Sequence, residues 1–158
     1  PAPFPQGAKV GFVNLQAIAQ LSAEGKAAAQ RVNALAQKKQ TEAAEKAKTL
    51  QTNQQKLETS GSVMSEAARG QLQKDIDRQT LEAQRFEQDA QAELQELQQE
   101  LQGQFQARLM PILEAISKEK GLQVLFSAGD SGVIWAEPGI DLTLEAVKRL
   151  DSAKPAAK

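Results

Sequence analysis

The chain of 158 residues contains no cysteine and no histidine, and this double absence removes several kinds of chemistry. Without cysteine it forms no disulfides and has no thiol chemistry, although the redox compartment stays open. Without histidine it lacks the commonest general base and transition-metal ligand. Phosphate-binding loops and dinucleotide fingerprints are missing as well. We therefore expect a protein that is not an enzyme and that uses no cofactor or metal.

Large apolar side chains are also scarce. Tyrosine is absent, tryptophan occurs once and phenylalanine five times, and much of the 41% hydrophobic fraction is alanine. No apolar run approaches the roughly 20 residues that a membrane helix requires. The formal net charge is −1, so no general positive charge attracts nucleic acid. This composition is typical of an elongated helical protein rather than a compact globule.

The chain is organised around residues 24–120, which consist almost entirely of helix-forming Ala, Gln, Glu, Lys, Arg and Leu. Proline is absent from this stretch until Pro111, and one run of small, helix-poor residues interrupts it near 59–63. We predict two antiparallel helices, over 24–58 and 64–120. They fold back on each other at an arm tip formed by Ser60, Gly61 and Ser62.

On both helices apolar residues return every three or four positions, which is the spacing of one helix face. The stripe on the first helix is thin, with Lys39, Ala43, Ala47 and Gln54 where a stable coiled coil would place Leu or Ile. We predict a coiled-coil arm over 24–98 that is weakly packed and flexible between Gln37 and Gln55. The fuller stripe on the second helix comprises Leu72, Ile76, Gln79, Ala83, Phe86, Ala90, Leu94, Leu97, Leu101, Phe105, Leu109, Ile112 and Ile116.

Short β-rich segments at both ends of the arm predict a small body from residues 9–23 and 99–150. Glycine and serine near 128–132 favour a hairpin between the second and third strands. Alternating β-branched and aromatic residues place the three strands at 9–14, 122–126 and 133–136.

Helical spacing and capping residues predict two further helices in the body. Asn14 is expected to cap a short helix over 15–21, and a last amphipathic helix begins near Asp141. The proline-rich start, residues 1–8, is expected to be a disordered lead. Residues 151–158 are expected to be a disordered tail.

Three short strands and a few helix ends are too small to bury their apolar residues within one subunit. Cores of this size usually need a disulfide, a metal or oligomerisation, and the first two are not available here. We therefore expect subunits to associate through the strands. The expected interface residues are Val10, Phe12, Val124, Phe126, Ile134 and Trp135.

Some apolar residues of the arm lie away from the predicted seam. Examples are Met64, Leu81 and, near the tip, Leu57, and we expect them to contact a partner protein. Single exposed apolar side chains are common on soluble proteins, which is the alternative interpretation.

Two sequence blocks flank the arm. The first combines KVGFVN at residues 9–14 with SAEGKA at 22–27, and the second combines KGLQVL at 120–125, AEPGIDLT at 136–143 and VKRL at 147–150. In this order and separation they resemble the Skp/OmpH family of periplasmic chaperones for outer-membrane proteins. The resemblance covers about Lys9 to Leu150.

The resemblance implies a jellyfish-like homotrimer, in which strands from three subunits form a trimerisation domain and three arms enclose a cavity. It implies an ATP-independent holdase that binds unfolded outer-membrane β-barrel proteins in that cavity before membrane insertion, with transient membrane-surface contact as a further expectation. It also implies export to the periplasm, with a signal peptide cleaved before residue 1.

The charge of the arm departs from the family pattern, because the best-known member is markedly basic there. Residues 24–60 carry seven basic and four acidic side chains, whereas residues 61–101 carry four and nine. We therefore predict no lipopolysaccharide site from the resemblance. Two alternatives remain open: a structural coiled-coil scaffold or tether without chaperone activity, and a cytosolic prefoldin-like holdase.

Overall fold

A computed structural model describes residues 2–129 and 132–153. The chain is mainly helical with a small β part, as predicted, and it divides into two compact units. We call residues 1–30 with 99–158 the small unit, and residues 31–98 the hairpin unit. The elements are β1 (Val10–Val13), α1 (Leu15–Leu21), α2 (Ala23–Ser60), α3 (Glu66–Glu119), β2 (Val124–Ser127), a 3₁₀ turn (Pro138–Ile140) and α4 (Thr143–Ser152).

The hairpin unit contains the turn between α2 and α3. Gly61 N–H donates to the carbonyl of Leu57 at 2.9 Å, which closes the last turn of α2. Ser65 starts α3, because its Oγ accepts from Ala68 N–H at 3.2 Å, as an N-cap does. The turn lies where the helix-poor run predicts it. The returning helix begins two residues later than expected, at Glu66, because Ser65 supplies the cap.

The predicted stripe on α3 is confirmed, since each of its residues is buried or half-buried. Three residues of the predicted stripe on α2 are exposed: Ala43, Ala47 and Gln54. Ala43 and Ala47 still line a cleft together with Ala83 and Phe86 of α3, so they lie on the predicted face but are not covered there. Glu42 and Asn53, the neighbours of Ala43 and Gln54, are half-buried instead. Long or polar side chains can cover apolar surface with their stems while their heads reach water or a partner, so burial along the helix does not follow hydrophobicity alone.

Polar contacts join the two helices on either side of this stretch. Lys39 forms an ion pair with Glu93, and its side chain is only 18% exposed. Nearer the tip, Asn53 Nδ2 donates to Gln79 Oε1 at 3.0 Å. Polar pairs at seam positions specify the register of facing helices at a cost in stability. The hairpin unit is therefore aligned by polar contacts where large apolar residues are lacking.

The small unit has a hydrophobic core shared by α1, α3, α4 and β1. Ile18 and Ile116 are completely buried, and Leu150 is 2% exposed. The part of α3 beyond Leu101 supplies Leu109, Leu113 and Ile116 to this core, as the composition of α3 predicts. The buried core comprises Val13, Ile18, Leu109, Leu113, Ile116, Leu142, Ala146 and Leu150.

The two strands form a parallel pair, β1 beside β2, in which Val10 lies opposite Val124 and Phe12 opposite Phe126. A single bridge pairs Phe12 with Asp141 on the other side of β1. The predicted hairpin between the second and third strands is wrong, because residues 132–137 form no strand and β2 pairs with β1. A glycine-rich loop favours a local hairpin, but the sequence does not reveal a distant partner. Residues 130 and 131 of that loop lie outside the described residues.

Capping contacts fix the first helix and its connection to α2. Asn14 caps α1 as predicted, accepting from Ala17 N–H at 3.0 Å. Buried Ser22 accepts from Gly25 N–H at 3.1 Å and so begins α2. A β-carbon at Gly25 would overlap the carbonyl oxygen of Ala19, so the sharp turn between the helices requires glycine.

Both chain ends differ from the expected disorder where the structure describes them. Phe4, in the proline-rich lead, is half-buried and packs against the core of the small unit. At the other end, α4 continues to Ser152, and Asp151 accepts from Ala23 N–H at 2.8 Å. Residue 1 and residues 154–158 lie outside the described residues. Apolar contact for Phe4 and a capping role for Asp151 explain the additional order.

Candidate functional site

The exposed face of the β1–β2 pair is the first candidate surface. Side chains alternate along β1, so that Gly11 and Val13 face the core while Val10 faces away from it. The paired register places Val124 and Phe126 on the same outer face. Val10, Val124 and Phe126 are each a little over 40% exposed. The result is an apolar sheet surface that one chain leaves uncovered.

A groove runs beside β2. It has a volume of about 650 Å³ and is lined by Leu15, Met110, Pro111, Leu122 and Phe126, among others. Within the described part of the chain, β2 pairs only with β1, so its other edge offers free backbone donors and acceptors. An open strand edge beside an apolar groove is a surface to which another strand can add.

Residues 132–137 carry the most exposed large apolar side chains of the small unit. Ile134 is fully exposed and Trp135 is 81% exposed, although a soluble protein usually shields such residues from water. Five of the six residues expected at the interface are therefore exposed in the single chain. The sixth, Phe12, is half-buried between β2 and its bridge to Asp141.

The structure separates the expected client contacts. Leu57 and Met64 are both half-buried at the tip of the hairpin unit. Leu81 is 46% exposed, but it lies on α3 roughly 22 Å from the start of that helix, at 1.5 Å per residue. Val63, which the sequence analysis did not select, is 84% exposed in the turn. Its position beside Gly61 could have indicated it, since turns expose their side chains.

A cleft opens in the middle of the hairpin unit around Phe86. It measures about 460 Å³, and its lining includes the alanines Ala43, Ala47 and Ala83 beside longer side chains. The ammonium groups of Lys39 and Lys46 lie 5.6 and 5.4 Å from the centre of the Phe86 ring, within range of a cation–π contact. The hydrogen bond to Glu93 and its negative charge raise the pKa of Lys39, although partial burial opposes this.

A network of charged side chains joins the end of α3 to α4. Arg149 pairs with Glu119 at 2.5 Å and with Glu145 at 2.7 Å, and Lys120 also reaches Glu145 at 2.9 Å. The hydrogen bond from Arg149 lowers the pKa of Glu119. Desolvation alone would raise the pKa of Glu145, but the hydrogen bonds from Lys120 and Arg149 outweigh it and lower this pKa. Each of these charged groups has an oppositely charged partner, so the network serves to hold the end of α3 against α4.

Two further observations limit the chemistry of the described residues. No cluster of three or more acidic side chains there has the arrangement of a metal site. Among the helices of the same residues, none combines the length and apolarity that crossing a membrane demands. The candidate surfaces are therefore the apolar face and groove of the small unit, and the tip and Phe86 cleft of the hairpin unit.

These units together define a class: a long helical hairpin with a small mixed α/β unit that exposes an apolar sheet face. The chain belongs to the family of OmpH-like outer membrane proteins, whose family model matches residues 9–150. It is 28% identical over 149 residues to the chaperone protein Skp of Yersinia enterocolitica, covering 92% of this chain and 87% of that protein.

A solved structure has the same fold. The crystal structure of an OmpH-like outer membrane chaperone from Caulobacter crescentus superimposes with a TM-score of 0.85 at 20% sequence identity. The match covers 96% of this chain and 89% of the other. The family resemblance inferred from the flanking blocks is thereby confirmed.

Proposed function

We propose that this protein is an ATP-independent holdase chaperone of the periplasm. It acts as a homotrimer that holds unfolded outer-membrane β-barrel proteins between its arms and prevents their aggregation before membrane insertion. The observation that carries the proposal is the exposure of large apolar side chains of the small unit, which a single chain leaves in water: Val10, Val124, Phe126, Ile134 and Trp135. The relative named as the chaperone Skp supports the same function.

Association through this surface follows from the hydrophobic effect. Each Å² of apolar surface removed from water contributes about 25 cal/mol, and an aromatic side chain buries 150–250 Å² in order of magnitude. The free edge of β2 adds backbone hydrogen bonds when a strand from a neighbouring copy pairs with it. Burial of Phe126 and Trp135 in three symmetric interfaces would remove from water the apolar side chains that a single subunit leaves exposed.

We assign client capture to the hairpin unit, through Leu57, Met64 and Leu81. We add Val63 because its side chain is 84% exposed. Isolated apolar contacts of this kind each contribute little, so an unfolded chain is held at many points and released without nucleotide. Transient membrane-surface contact is part of the same proposal. A scaffold or tether would need the trimer but none of these contacts, and it would leave aggregation unchanged.

The assembly test compares Phe126→Asp with Leu144→Asp, which changes an α4 side chain that is 60% exposed and not part of the proposed interface. An unpaired carboxylate in an apolar interface is strongly unfavourable, so Phe126→Asp should sediment as a 17.1 kDa monomer. Wild type and Leu144→Asp should sediment as trimers. A monomeric wild type at micromolar concentration would refute the trimer.

The activity test dilutes a urea-denatured outer-membrane β-barrel protein into buffer without ATP and follows light scattering. Wild type should suppress the scattering, whereas the Leu57, Met64 and Leu81 triple serine variant should do so less while remaining trimeric. Scattering unaffected by a trimeric wild type would favour the scaffold. An exported, trimmed N-terminus in cells would separate the periplasmic holdase from a prefoldin-like cytosolic one.

A further inference from the structure

The proline-rich lead before β1 lies on the core of the small unit. Phe4 packs against the core cluster, and Lys120 Nζ lies 5.1 Å from the centre of its ring. Gly7 adopts a positive φ of 82°, a conformation that glycine favours, and Ala8 N–H donates to the Pro5 carbonyl at 3.3 Å. These two features turn the chain from the lead into β1.

The lead crosses the 3₁₀ turn at Pro138–Ile140. Gly139 in this turn is buried, and a β-carbon there would lie 2.6 Å from the carbonyl oxygen of Pro3 and 3.1 Å from Pro5 Cδ. Real β-carbons do not approach backbone oxygens so closely. The contact between lead and turn therefore depends on the absence of a side chain at residue 139.

The same turn ends the exposed segment 132–137 and leads back to β1. Ile134 and Trp135 lie a few residues before it. Just after it, Asp141 bridges to Phe12, and Leu142 N–H donates to the Phe12 carbonyl at 2.9 Å. The turn is thus held by β1 on one side and by the lead on the other.

We propose that residues 2–8 act as a strap that fixes the 3₁₀ turn and so positions the segment 132–137 for contact with a neighbouring subunit. The proposal rests on the proposed oligomer and names the device that orders its interface. Ordering a backbone segment at assembly costs conformational entropy. A strap that anchors one end of the segment lowers this cost before the subunits meet.

The strap can be broken from either side of the contact. Phe4→Ala removes the anchor from the lead, and Gly139→Ala pushes the lead off the turn. Leu144→Ala is the control, because it shortens an exposed apolar side chain outside the contact. Trp135 is the only tryptophan, so its fluorescence anisotropy reports the segment directly in the full-length chain.

We expect both variants to lower the anisotropy of Trp135 and to accelerate hydrogen exchange of residues 138–142 by about tenfold. Exchange in the core stretch 109–116 should change much less. Because both variants break one contact, the double variant should be no more mobile than either single variant. Unchanged Trp135 anisotropy, or additive effects in the double variant, would overturn the strap. If Phe4→Ala also accelerates exchange in the core, its effect on Trp135 is not specific to the strap, and the result for Gly139→Ala decides the test.

Measurements in the Phe126→Asp background distinguish failure of the strap from failure of the proposed trimer. In this monomeric background Trp135 still reports the strap, so a wild type that fails to trimerise refutes the assembly and leaves the strap tested. In the trimer, both strap variants should raise the dissociation concentration about tenfold or more. A trimer of unchanged stability combined with a mobile Trp135 would contradict the role of the strap in assembly.

Discussion

The small unit and the hairpin unit are stabilised in different ways. Eight apolar residues form one buried cluster in the small unit. Among residues 31–98, all of which the structure describes, Ile76 and Ala90 are the only buried apolar side chains. Because apolar burial is the main favourable term in folding, the hairpin unit should open locally at much lower free energy. Stability concentrated in one unit leaves the other adaptable, as the proposed capture of varied clients would require.

The largest expected effect tests this contrast with one substitution in each unit. Ile116→Ala in the core should destabilise the protein by about 3–5 kcal/mol, because it removes a completely buried side chain and leaves a cavity. Ile76→Ala in the seam should cost about 2 kcal/mol or less, since the thin hairpin can collapse around the change. Urea unfolding followed by circular dichroism measures both.

A pair of isoleucine-to-valine substitutions is the control, because each removes a single methylene group at the same two positions. Ile116→Val and Ile76→Val should each cost about 1 kcal/mol. Equal costs for the two alanine variants would show that the hairpin is packed as firmly as the core, and the contrast between the units would fail.

Gly25→Ala should produce the next largest effect. The added β-carbon would overlap the backbone carbonyl of Ala19, and backbone atoms cannot move aside as side chains can. We expect a loss of about 2–3 kcal/mol and a lower melting temperature. Gly103→Ala is the matched control, because a β-carbon there meets no atom within 4 Å. It should be neutral or slightly stabilising, since alanine is the better helix former.

Local features of the fold could be predicted from the sequence. The bounds of α1, its cap at Asn14 and the stripe on α3 all follow from interactions between residues three or four positions apart. The parallel pairing of β1 with β2 could not be predicted, since it joins residues more than 100 positions apart. The glycine-rich sequence after β2 favoured a hairpin, but residues 132–137 form no strand.

Some features of the candidate surfaces could likewise be predicted from the sequence, and others could not. The sequence analysis placed Val10 among the expected interface residues, and in the structure its side chain is exposed on the outer face of β1. The cleft at Phe86 could not be predicted, because its walls come from both helices and its cations, Lys39 and Lys46, were not expected to face an aromatic ring. The sequence placed Ala43 and Ala47 on the face towards α3, and both line the cleft, but it did not show that they stay exposed there.

A third prediction concerns a substitution that should stabilise the hairpin unit and so reduce its difference in stability from the small unit. Lys46→Leu places an apolar side chain beside Phe86 in the cleft, where the lysine stem now lies. We expect about 1 kcal/mol of stabilisation from apolar burial, with slower hydrogen exchange across 37–55. Ala29→Leu is the control, on an exposed part of α2 outside the cleft. Exchange in 37–55 that already matches the core in wild type would refute the flexible arm.

The smallest expected effect concerns the charged network that joins α3 to α4 in the small unit. The pKa values of Glu119 and Glu145 lie below the ordinary value of 4.5, through hydrogen bonds from Arg149 and, for Glu145, from Lys120. A carboxylate with a lowered pKa stabilises the folded state above its unfolded pKa. This contribution is lost as pH falls through the lowered folded pKa.

Arg149→Met should therefore reduce the melting temperature slightly at neutral pH and flatten its decline below about pH 4.5. Lys118→Met is the control, because it removes a cation from the exposed pair with Glu114 within α3 and should alter the neutral-pH melting temperature less. Melting curves from pH 7 to about pH 3 measure both variants. If Arg149→Met declined as steeply in acid as wild type, other carboxylates would govern the acid sensitivity of the small unit.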